Sequence, residues 1–262
     1  MPTVRVNNRQ ISYWEGKDAQ QEGRETILFV HGAGGGQLTW SLQKAFFERH
    51  AHPIMIELPG HGESGGDGED EIAHYAEHVH SFMNILNLPK SFLVGHSMGG
   101  AIVQTLALRY PMLVKGIVLV GTGARLRVLP AMLEGVQKNF KDTVLMMTRY
   151  AFSRKAPQEF IERGIDQLMH VRPEVLHGDF LACDRFDILK EVERIQLPAL
   201  IVCGDEDEMT PVKYSQYLHD RIKGSRLEVL PKAGHMVMME SAEAFNERVK
   251  AFVGDSVFSK NR

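Results

Sequence analysis

Short runs of apolar residues recur along the chain, and glycine or a polar turn bounds each of them. Strands that are covered on both faces of a sheet have this pattern, because no position of such a strand faces water. The pattern predicts strands at TILFV, PIMIEL, SFLVG, GIVLV, PALIVCG and RLEVLP. Ahead of them, the alternating segment TVRVNNRQISYW predicts an antiparallel hairpin from Val4 to Tyr13 that turns at Asn7 and Asn8.

Apolar residues spaced three or four apart predict amphipathic helices between these strands. One such stretch contains Ile72, Tyr75 and Val79, and another contains Ile102 and Leu106. Further helices are expected from Pro211 to Ile222 and around Phe245, Val249 and Phe252. Alternating strands and helices favour right-handed crossovers and a mostly parallel, doubly wound α/β sheet, whose ligands bind beyond the carboxyl ends of the strands.

The strand pattern is interrupted in the middle of the chain, where the spacing is helical throughout. The expected helix starts are marked by Pro130, Pro157 and Pro173. This stretch predicts an inserted helical cap at residues 123–193, and a core domain formed by residues 1–122 and 194–262. Most of the cap methionines are expected to pack in its interior, namely Met132, Met146, Met147 and Met169. Met236, in the core domain, is a candidate for a wall of the site.

Composition narrows the class of function. The chain has 262 residues, of which 44% are hydrophobic, and this suffices for one catalytic domain with an insertion. A formal net charge of −3 gives no reason to expect a nucleic-acid or anionic-membrane partner, so the expected partner is a small molecule. Neither a secretory signal nor a run of about 18 apolar residues occurs, so a cytoplasmic protein is expected. Cys203 lies in an apolar run, which predicts a buried, reduced thiol.

The segment GHSMGG places Ser97 between Gly95 and Gly99, directly after one predicted strand and before a helix. A nucleophile on such a sharp turn has strained backbone angles and needs small residues two positions before and after it. A serine hydroxyl is nearly inert at neutral pH, so it also needs a base and a group that orients the base. The segment therefore makes Ser97 the candidate nucleophile.

Candidates for the acid and the base follow the last two predicted strands. Asp205 and Asp207 lie after ALIV, and His235 lies after RLEVL. The order serine, acid, histidine is that of the catalytic triad on a strand-to-helix elbow. From the residues alone either aspartate satisfies this order, and the other is expected to serve as a turn or capping residue.

Five motifs together resemble those of the α/β-hydrolase superfamily, in the family's order: FVHGAGG, LPGHGES, GHSMGG, GDEDEMTP and AGHMVMMES. The likeness covers essentially the whole chain and implies the α/β-hydrolase fold. Family members carry the acid three residues beyond the glycine of the fourth motif, which implies Asp207. The resemblance also implies an oxyanion hole formed by the backbone N–H groups of Ala33 and Met98, although the glycines that follow leave Gly34 as an alternative donor.

Resemblance to the family's capped carboxylesterases and lipases implies a serine hydrolase that cleaves carboxylic esters through an acyl-enzyme intermediate. Its catalytic residues would be Ser97, Asp207 and His235, and the reaction needs no cofactor and no metal. Thioesters are the nearest variant. Hydrolases of C–C bonds in diketones are an alternative with the same triad, but they usually add an arginine and a tryptophan near the site, and Trp14 and Trp40 both precede the nucleophile. A small-molecule receptor of the same fold is a third possibility. The serine argues against the dehalogenases and epoxide hydrolases of the superfamily, which use aspartate there.

Other residues suggest competing interpretations. The segment HGAGGG lacks the G-x-G-x-x-G and G-K-[ST] patterns, so a nucleotide site is not expected. His74 and His78 lie four apart, but a solvated helix face is expected there rather than a metal site. His31 and His96 are expected to hold hydrogen bonds near the site rather than to transfer protons. Glu57 stands where the family usually has aspartate, and it is expected to brace loops.

Overall fold

The computed structural model describes residues 1–17 and 23–258. Its strands are β1 Thr3–Val6, β2 Arg9–Glu15, β3 Thr26–Val30, β4 His52–Ile56, β5 Ser91–His96, β6 Val114–Val120, β7 Ala199–Gly204 and β8 Arg226–Leu230. They form one eight-stranded sheet in the order β1-β2-β4-β3-β5-β6-β7-β8. Strand β2 pairs antiparallel with β1 and β4, and every other neighbouring pair is parallel. The predicted mostly parallel, doubly wound sheet is therefore confirmed.

The hairpin of β1 and β2 has the predicted turn. Asn7 and Asn8 have φ values of 48° and 65°, the left-handed conformation that a two-residue hairpin turn requires and that asparagine tolerates. The hairpin joins the rest of the sheet through β2, where Tyr13 lies opposite Ile56 of β4. It forms one edge of the sheet, as its alternating sequence indicates.

Burial explains why the central strands have apolar runs instead of alternation. Every residue of β3, β5 and β7 is buried, and β4 and β6 each have a single half-buried residue. The edge strand β8 keeps only Leu230 fully buried. The apolar runs and the sheet positions thus agree strand by strand.

Ten α-helices complete the described fold: α1 Ser41–His50, α2 Ile72–Ile85, α3 Met98–Arg109, α4 Pro130–Lys138, α5 Phe140–Ala151, α6 Gln158–Met169, α7 Pro173–Arg185, α8 Val212–Arg221, α9 Val237–Glu240 and α10 Ala242–Phe258. Pro130 and Pro173 are the first residues of α4 and α7, and Pro157 immediately precedes α6, as predicted. Helix α1 was not predicted. It buries only Gln43 and Phe47, so it lacks an apolar stripe that a sequence pattern can detect.

Helices α4–α7 lie between β6 and β7 in the chain. The expectation of helical structure throughout residues 123–193 is wrong at both ends, because 121–129 and 186–191 are not helical. These two segments pass each other at an antiparallel bridge between Arg125 and Asp187, whose side chains form an ion pair at 2.5 Å. They are the two connections between the sheet and the helices. The division into a cap at 123–193 and a core at 1–122 and 194–262 stays a prediction.

Helices α4–α7 form a four-helix segment whose interior is apolar. The main apolar cluster in this segment consists of Met132, Val136, Met147, Leu176 and Phe180. The prediction of interior packing is thus confirmed for Met132 and Met147. It is wrong for Met146 and Met169, which are 39% and 40% exposed, because they lie on the outer faces of α5 and α6.

Cys183 and Cys203 are both buried and free, so the predicted reduced thiol at Cys203 is confirmed. Within the described residues, no helix combines the length and the apolar composition that crossing a bilayer requires.

Candidate active site

Ser97 follows β5 directly and immediately precedes the first residue of α3. Its φ of 52° and ψ of −115° lie in a region that a serine rarely adopts, at a cost of about 1–3 kcal/mol. Two hydrogen bonds hold this conformation: the Ser97 N–H donates to the carbonyl of Val120 at 2.9 Å, and the Thr122 hydroxyl donates to the Ser97 carbonyl at 2.8 Å. The sheet therefore fixes the strained turn from both sides.

The two glycines that flank Ser97 are required by the packing of this turn. A β-carbon at Gly95 would overlap the carbonyl oxygen of Gly99, and a β-carbon at Gly99 would overlap the carbonyl oxygen of Val30 in β3. Backbone groups cannot move aside as a flexible side chain can. The spacing that identified Ser97 in the sequence thus has a direct steric cause.

Asp207 and His235 are in contact, and Asp205 is not part of the contact. Asp207 Oδ2 lies 2.9 Å from His235 Nδ1, and both residues are buried. Asp205 is exposed and accepts a hydrogen bond at 2.6 Å from the backbone N–H of Lys232. Of the two aspartates that the sequence leaves open, the structure brings Asp207 to the histidine, and Asp205 braces a turn.

Thr210 also belongs to this cluster, and the sequence analysis did not identify it. Its hydroxyl donates to Asp207 Oδ2 at 2.7 Å, and its backbone N–H donates to Asp207 Oδ1 at 2.8 Å. Burial alone would raise the pKa of the Asp207 carboxyl, but the charge of His235 and the hydrogen bonds outweigh burial and lower this pKa below 3.8. Asp207 is therefore ionised at neutral pH. The signal in the sequence that could have identified Thr210 is its spacing from Asp207, which is typical of an aspartate that caps a turn.

Several contacts bring His235 to the turn that carries Ser97. The ring of His96 lies 4.6 Å from the ring of His235, and His96 Nε2 lies 3.1 Å from the His235 carbonyl oxygen. On the other side, a β-carbon at Gly121 would lie 3.2 Å from His235 Nδ1. Ser97 and His235 both line one cavity of about 1480 Å³. Within the described residues, the structure joins His235 to Asp207 but shows no hydrogen bond between Ser97 Oγ and His235 Nε2.

The loop after β3 passes beside Ser97, since a β-carbon at Gly32 would lie 3.2 Å from Ser97 Cβ. The N–H of Gly34 donates to Asp179 Oδ2 at 2.8 Å, so this amide is already occupied. The N–H groups of Ala33 and Met98 have no acceptor among the residues that the structure describes. Of the two donors considered for this loop, Ala33 is thus the one left open.

His31 and His96 act as the sequence analysis expected, as neutral hydrogen-bonding residues. His31 Nδ1 lies 2.8 Å from the Gly32 carbonyl oxygen, and its Nε2 accepts the N–H of Leu58 at 3.0 Å. Burial, followed by the charge of nearby histidines, holds the pKa of His31 well below 6.5. Burial and the charge of His235 lower the pKa of His96 to about 3. Neither ring exchanges a proton at neutral pH.

Glu57 braces the loop after β4, as expected. Its Oε2 accepts the N–H of Glu63 at 2.8 Å, and its carbonyl accepts the Ser64 hydroxyl at 2.7 Å.

The prediction of a solvated helix face is wrong at His78. His78 is buried and its Nε2 lies 2.9 Å from Glu69 Oε1, because the loop before α2 folds back over the helix. Over residues 1–17 and 23–258, no three His, Cys, Asp or Glu side chains are arranged to hold a metal ion.

The cavity around Ser97 has both apolar and charged side chains in its wall, and Glu162, Arg163 and Asp166 of α6 are among the charged ones. The apolar side chains come from helices α5–α7 and the segments between them, from the loop after β7 and from the segment after β8. They include Met147, Phe152, Leu168, Val171, Phe180, Met209, Met236 and Met239. Met236 thus lies in the wall where the sequence analysis placed it. Neither Trp14 nor Trp40 is among the described residues that line the cavity.

Comparisons with known proteins agree with this geometry. The model of the alpha/beta hydrolase family matches residues 27–248. The chain is 30% identical over 250 residues to the dihydrolipoyllysine-residue acetyltransferase component of the acetoin cleaving system of Pseudomonas putida, and this match covers 88% of the chain but only 64% of that protein. It is 27% identical over 239 residues to 3-oxoadipate enol-lactonase 2 of Acinetobacter baylyi, which covers 88% of the chain and 89% of the relative.

Among solved structures, one described as a thermophilic esterase is similar, with a TM-score of 0.84 and 35% sequence identity over 97% of each chain. The family model covers far more than half of the chain, and the eight-stranded, mostly parallel sheet fits the fold of this family. The chain belongs to the alpha/beta hydrolase family.

Proposed function

We propose that the protein hydrolyses carboxylic esters through an acyl-enzyme formed on Ser97, with His235 as the base and Asp207 as the group that orients it. The observation that carries this proposal is the 2.9 Å contact of Asp207 Oδ2 with His235 Nδ1 in the wall of the cavity that Ser97 also lines. This contact commits Nδ1 to the carboxylate and leaves Nε2 to take a proton.

In the first half of the reaction, Ser97 Oγ attacks the carbonyl carbon of the ester while its proton passes to His235 Nε2. The C–O bond to the alcohol then breaks, and the imidazolium returns the proton to the departing alcohol. In the second half, water attacks the acyl carbon, His235 takes one of its protons, and the carboxylic acid leaves as Ser97 recovers a proton. The ionised Asp207 stabilises the imidazolium that forms in each half.

The carbonyl oxygen of the substrate gains negative charge in both halves. The N–H groups of Ala33 and Met98 are the donors proposed for it, each contributing about 3 kcal/mol of transition-state stabilisation. Support comes from their positions, because one begins α3 directly after Ser97 and the other lies on the loop beside Ser97.

The apolar side chains in the cavity wall favour an ester with an apolar group on at least one side of the carbonyl. An enol-lactonase and an esterase among the similar proteins support ester hydrolysis in general. A thioester fits the same machinery. The diketone alternative has less support, since its usual tryptophan is not matched by either tryptophan of this chain.

Fluorophosphonate labelling combined with turnover tests the proposal. We expect the reagent to label Ser97 rapidly, and short p-nitrophenyl esters to be hydrolysed over many turnovers by the wild-type protein but not by Ser97→Ala. A panel of increasing acyl length then identifies the preferred chain. Labelling without repeated turnover would instead support a small-molecule receptor, and no labelling would reject the assignment of Ser97 as the nucleophile.

A further inference from the structure

A second buried polar cluster lies next to the proposed oxyanion loop. Its centre is the carboxylate of Asp179 in α7, whose side chain is fully buried. Asp179 Oδ2 accepts the N–H of Gly34 at 2.8 Å and lies 2.8 Å from His61 Nε2, and Asp179 Oδ1 accepts the Tyr75 hydroxyl at 2.5 Å. One side chain of the four-helix segment thus joins the loop after β3, the loop after β4 and helix α2.

The same four-helix segment packs directly on Gly34. A β-carbon at this glycine would lie 2.6 Å from Leu168 Cδ2 and 3.0 Å from Leu176 Cδ1, and its φ of 62° is left-handed. Gly34 is therefore enclosed by α6 and α7 on one side and bonded to Asp179 at its N–H. Its conformation, and with it the direction of the preceding peptide groups, depends on where these two helices sit.

His61 and Asp179 form a buried ion pair. His61 Nδ1 lies 3.0 Å from the Pro59 carbonyl oxygen, which can only accept, and Nε2 lies 2.8 Å from the Asp179 carboxylate. Nδ1 therefore donates, and the contact of Nε2 with a carboxylate fits the charged imidazolium, in which both ring nitrogens donate. Burial lowers the pKa of His61, but the charge of Asp179 and the hydrogen bonds outweigh it, and the pKa lies above 6.5. The same carboxylate oxygen, Asp179 Oδ2, thus contacts both His61 and the N–H of Gly34.

We propose that Asp179 is a positioning residue for the oxyanion hole: by holding the N–H of Gly34, it directs the adjacent N–H of Ala33 toward the carbonyl oxygen of the substrate. This inference rests on the proposed ester hydrolysis. Because Asp179 belongs to α7, the four-helix segment contributes to the chemical step as well as to the walls of the cavity. Asp179 forms no hydrogen bond with Ser97 or His235 among the described residues, so it acts as a positioning residue through the loop that carries Gly34.

The substitution Asp179→Asn separates this role from a general loss of structure. With the asparagine oxygen toward Tyr75 and its NH₂ toward a neutral His61, two of the three contacts survive, since the histidine can then accept at Nε2 while it still donates to Pro59. The NH₂ group also faces the N–H of Gly34, and two donors repel each other. In this orientation the isosteric change breaks the contact with the loop selectively. The opposite orientation keeps Gly34 bonded and leaves the Tyr75 hydroxyl proton without its acceptor, so the chemical shift of the Gly34 amide proton in ¹⁵N-labelled Asp179→Asn identifies which contact is lost.

Tyr75→Phe is the matched control, because it removes a hydrogen bond to the other oxygen of the same carboxylate and leaves Gly34 bonded. We expect Asp179→Asn to lower kcat for a p-nitrophenyl ester about tenfold with KM within about twofold, a fraction of what losing a whole oxyanion donor costs. Its affinity for a trifluoromethyl ketone, which forms a tetrahedral oxyanion on the serine, should fall by the same factor. Tyr75→Phe should keep both quantities within about twofold of wild type, even where its melting temperature falls as far as that of Asp179→Asn.

Equal changes of kcat in the two variants, or a change of Asp179→Asn confined to KM, would overturn the inference while leaving the proposed function intact. Loss of wild-type turnover or of fluorophosphonate labelling would instead reject the proposed function itself. If Asp179→Asn does not fold, the inference is tested by NMR on ¹⁵N-labelled wild-type protein. On binding the trifluoromethyl ketone, the amide proton of Ala33 should move downfield while that of Gly34 stays in place, and a downfield shift of Gly34 in place of Ala33 would overturn the inference.

Discussion

At the scale of single residues, the carboxylate of Asp207 is the most heavily hydrogen-bonded group of the proposed triad. Besides His235, it accepts the N–H groups of Met209 and Thr210 and the hydroxyl of Thr210. These donors stabilise the ionised form in a buried place, where an unpaired charge would be costly. They also fix the carboxylate in the orientation that holds the imidazole.

Asp207→Asn should reduce kcat by about 10³–10⁴-fold, because asparagine neither stabilises the imidazolium nor selects the correct tautomer of His235. Asp205→Asn is the control, since Asp205 is exposed and contacts only a turn, and its kcat should stay within about twofold of wild type. Steady-state hydrolysis of p-nitrophenyl butyrate measures both. The assignment of the acid is wrong if Asp205→Asn is the more damaging substitution.

Thr210→Val should lower kcat about threefold to tenfold with little change of KM, because it removes one hydroxyl bond to Asp207 Oδ2 and keeps the backbone N–H bond to Oδ1. Thr210→Ser retains the hydroxyl and should restore most of the rate. Equal rates for the valine and serine variants would show that the hydroxyl has no part in positioning the acid.

At the scale of elements, the apolar runs predicted β3 to β8 and the alternating segment predicted the hairpin of β1 and β2. The placement of Ser97, Asp207 and His235 after three of the apolar runs followed from this pattern. Helix α1 was not predicted because its buried residues are a glutamine and a phenylalanine instead of an apolar stripe. The burial of His78 was not predicted either, since it depends on how the loop with Glu69 folds back over α2. Periodicity reports only which face of an element is apolar, and it carries no information on such loops.

The close approach of α3 to β3 predicts a large effect at Gly99. Gly99→Ala should reduce the free energy of unfolding by about 3 kcal/mol, because the added methyl group meets the carbonyl oxygen of Val30. Gly254→Ala in α10 is the matched control: no atom lies within 4 Å of the added carbon, so the substitution should stabilise by about 0.5–1 kcal/mol. Urea denaturation measures both, and a loss of stability in Gly254→Ala similar to that in Gly99→Ala would contradict the steric explanation.

At the scale of the whole molecule, the contacts that join distant parts of the chain could not be predicted from the sequence. Asp179 and Gly34 are 145 positions apart, and Asp179 and His61 are 118 apart. Each residue alone has an ordinary local context, and only the packing of α6 and α7 on the loops brings them together. The proximity of Ser97, Asp207 and His235 was easier to predict, because parallel strands deliver their carboxyl ends to one edge of the sheet whatever lies between them.

Two buried histidines have lowered pKa values and a third has a raised pKa, and together they predict a maximum of the free energy of unfolding near neutral pH. His31 and His96 have lowered pKa values, so below pH 6.5 the unfolded chain binds protons that the folded protein does not, and stability falls as the pH falls. His61 has a raised pKa, so its contribution is complete below pH 6.5 and is lost as the pH rises through the higher folded value.

Urea unfolding between pH 5 and 9 should show this maximum, with a slope on the acid side that approaches but does not exceed about 1.4 kcal/mol per pH unit for each histidine that stays neutral. His96→Asn removes one of the two titrating groups and should reduce the acid slope by about that amount. A stability that is constant from pH 7 to pH 5 would contradict the neutral state of these buried rings.

The bridge between Arg125 and Asp187 has a consequence for how this architecture diversifies. The chain that leaves β6 and the chain that returns to β7 meet at this bridge, so the segment with helices α4–α7 begins and ends at one place. A short linker could join the two chain ends there without disturbing β6 or β7. Excursions of different length can therefore be grafted onto one unchanged scaffold. Each graft would inherit the serine, the histidine and the aspartate, but it would have to supply its own acceptor for the amide of Gly34.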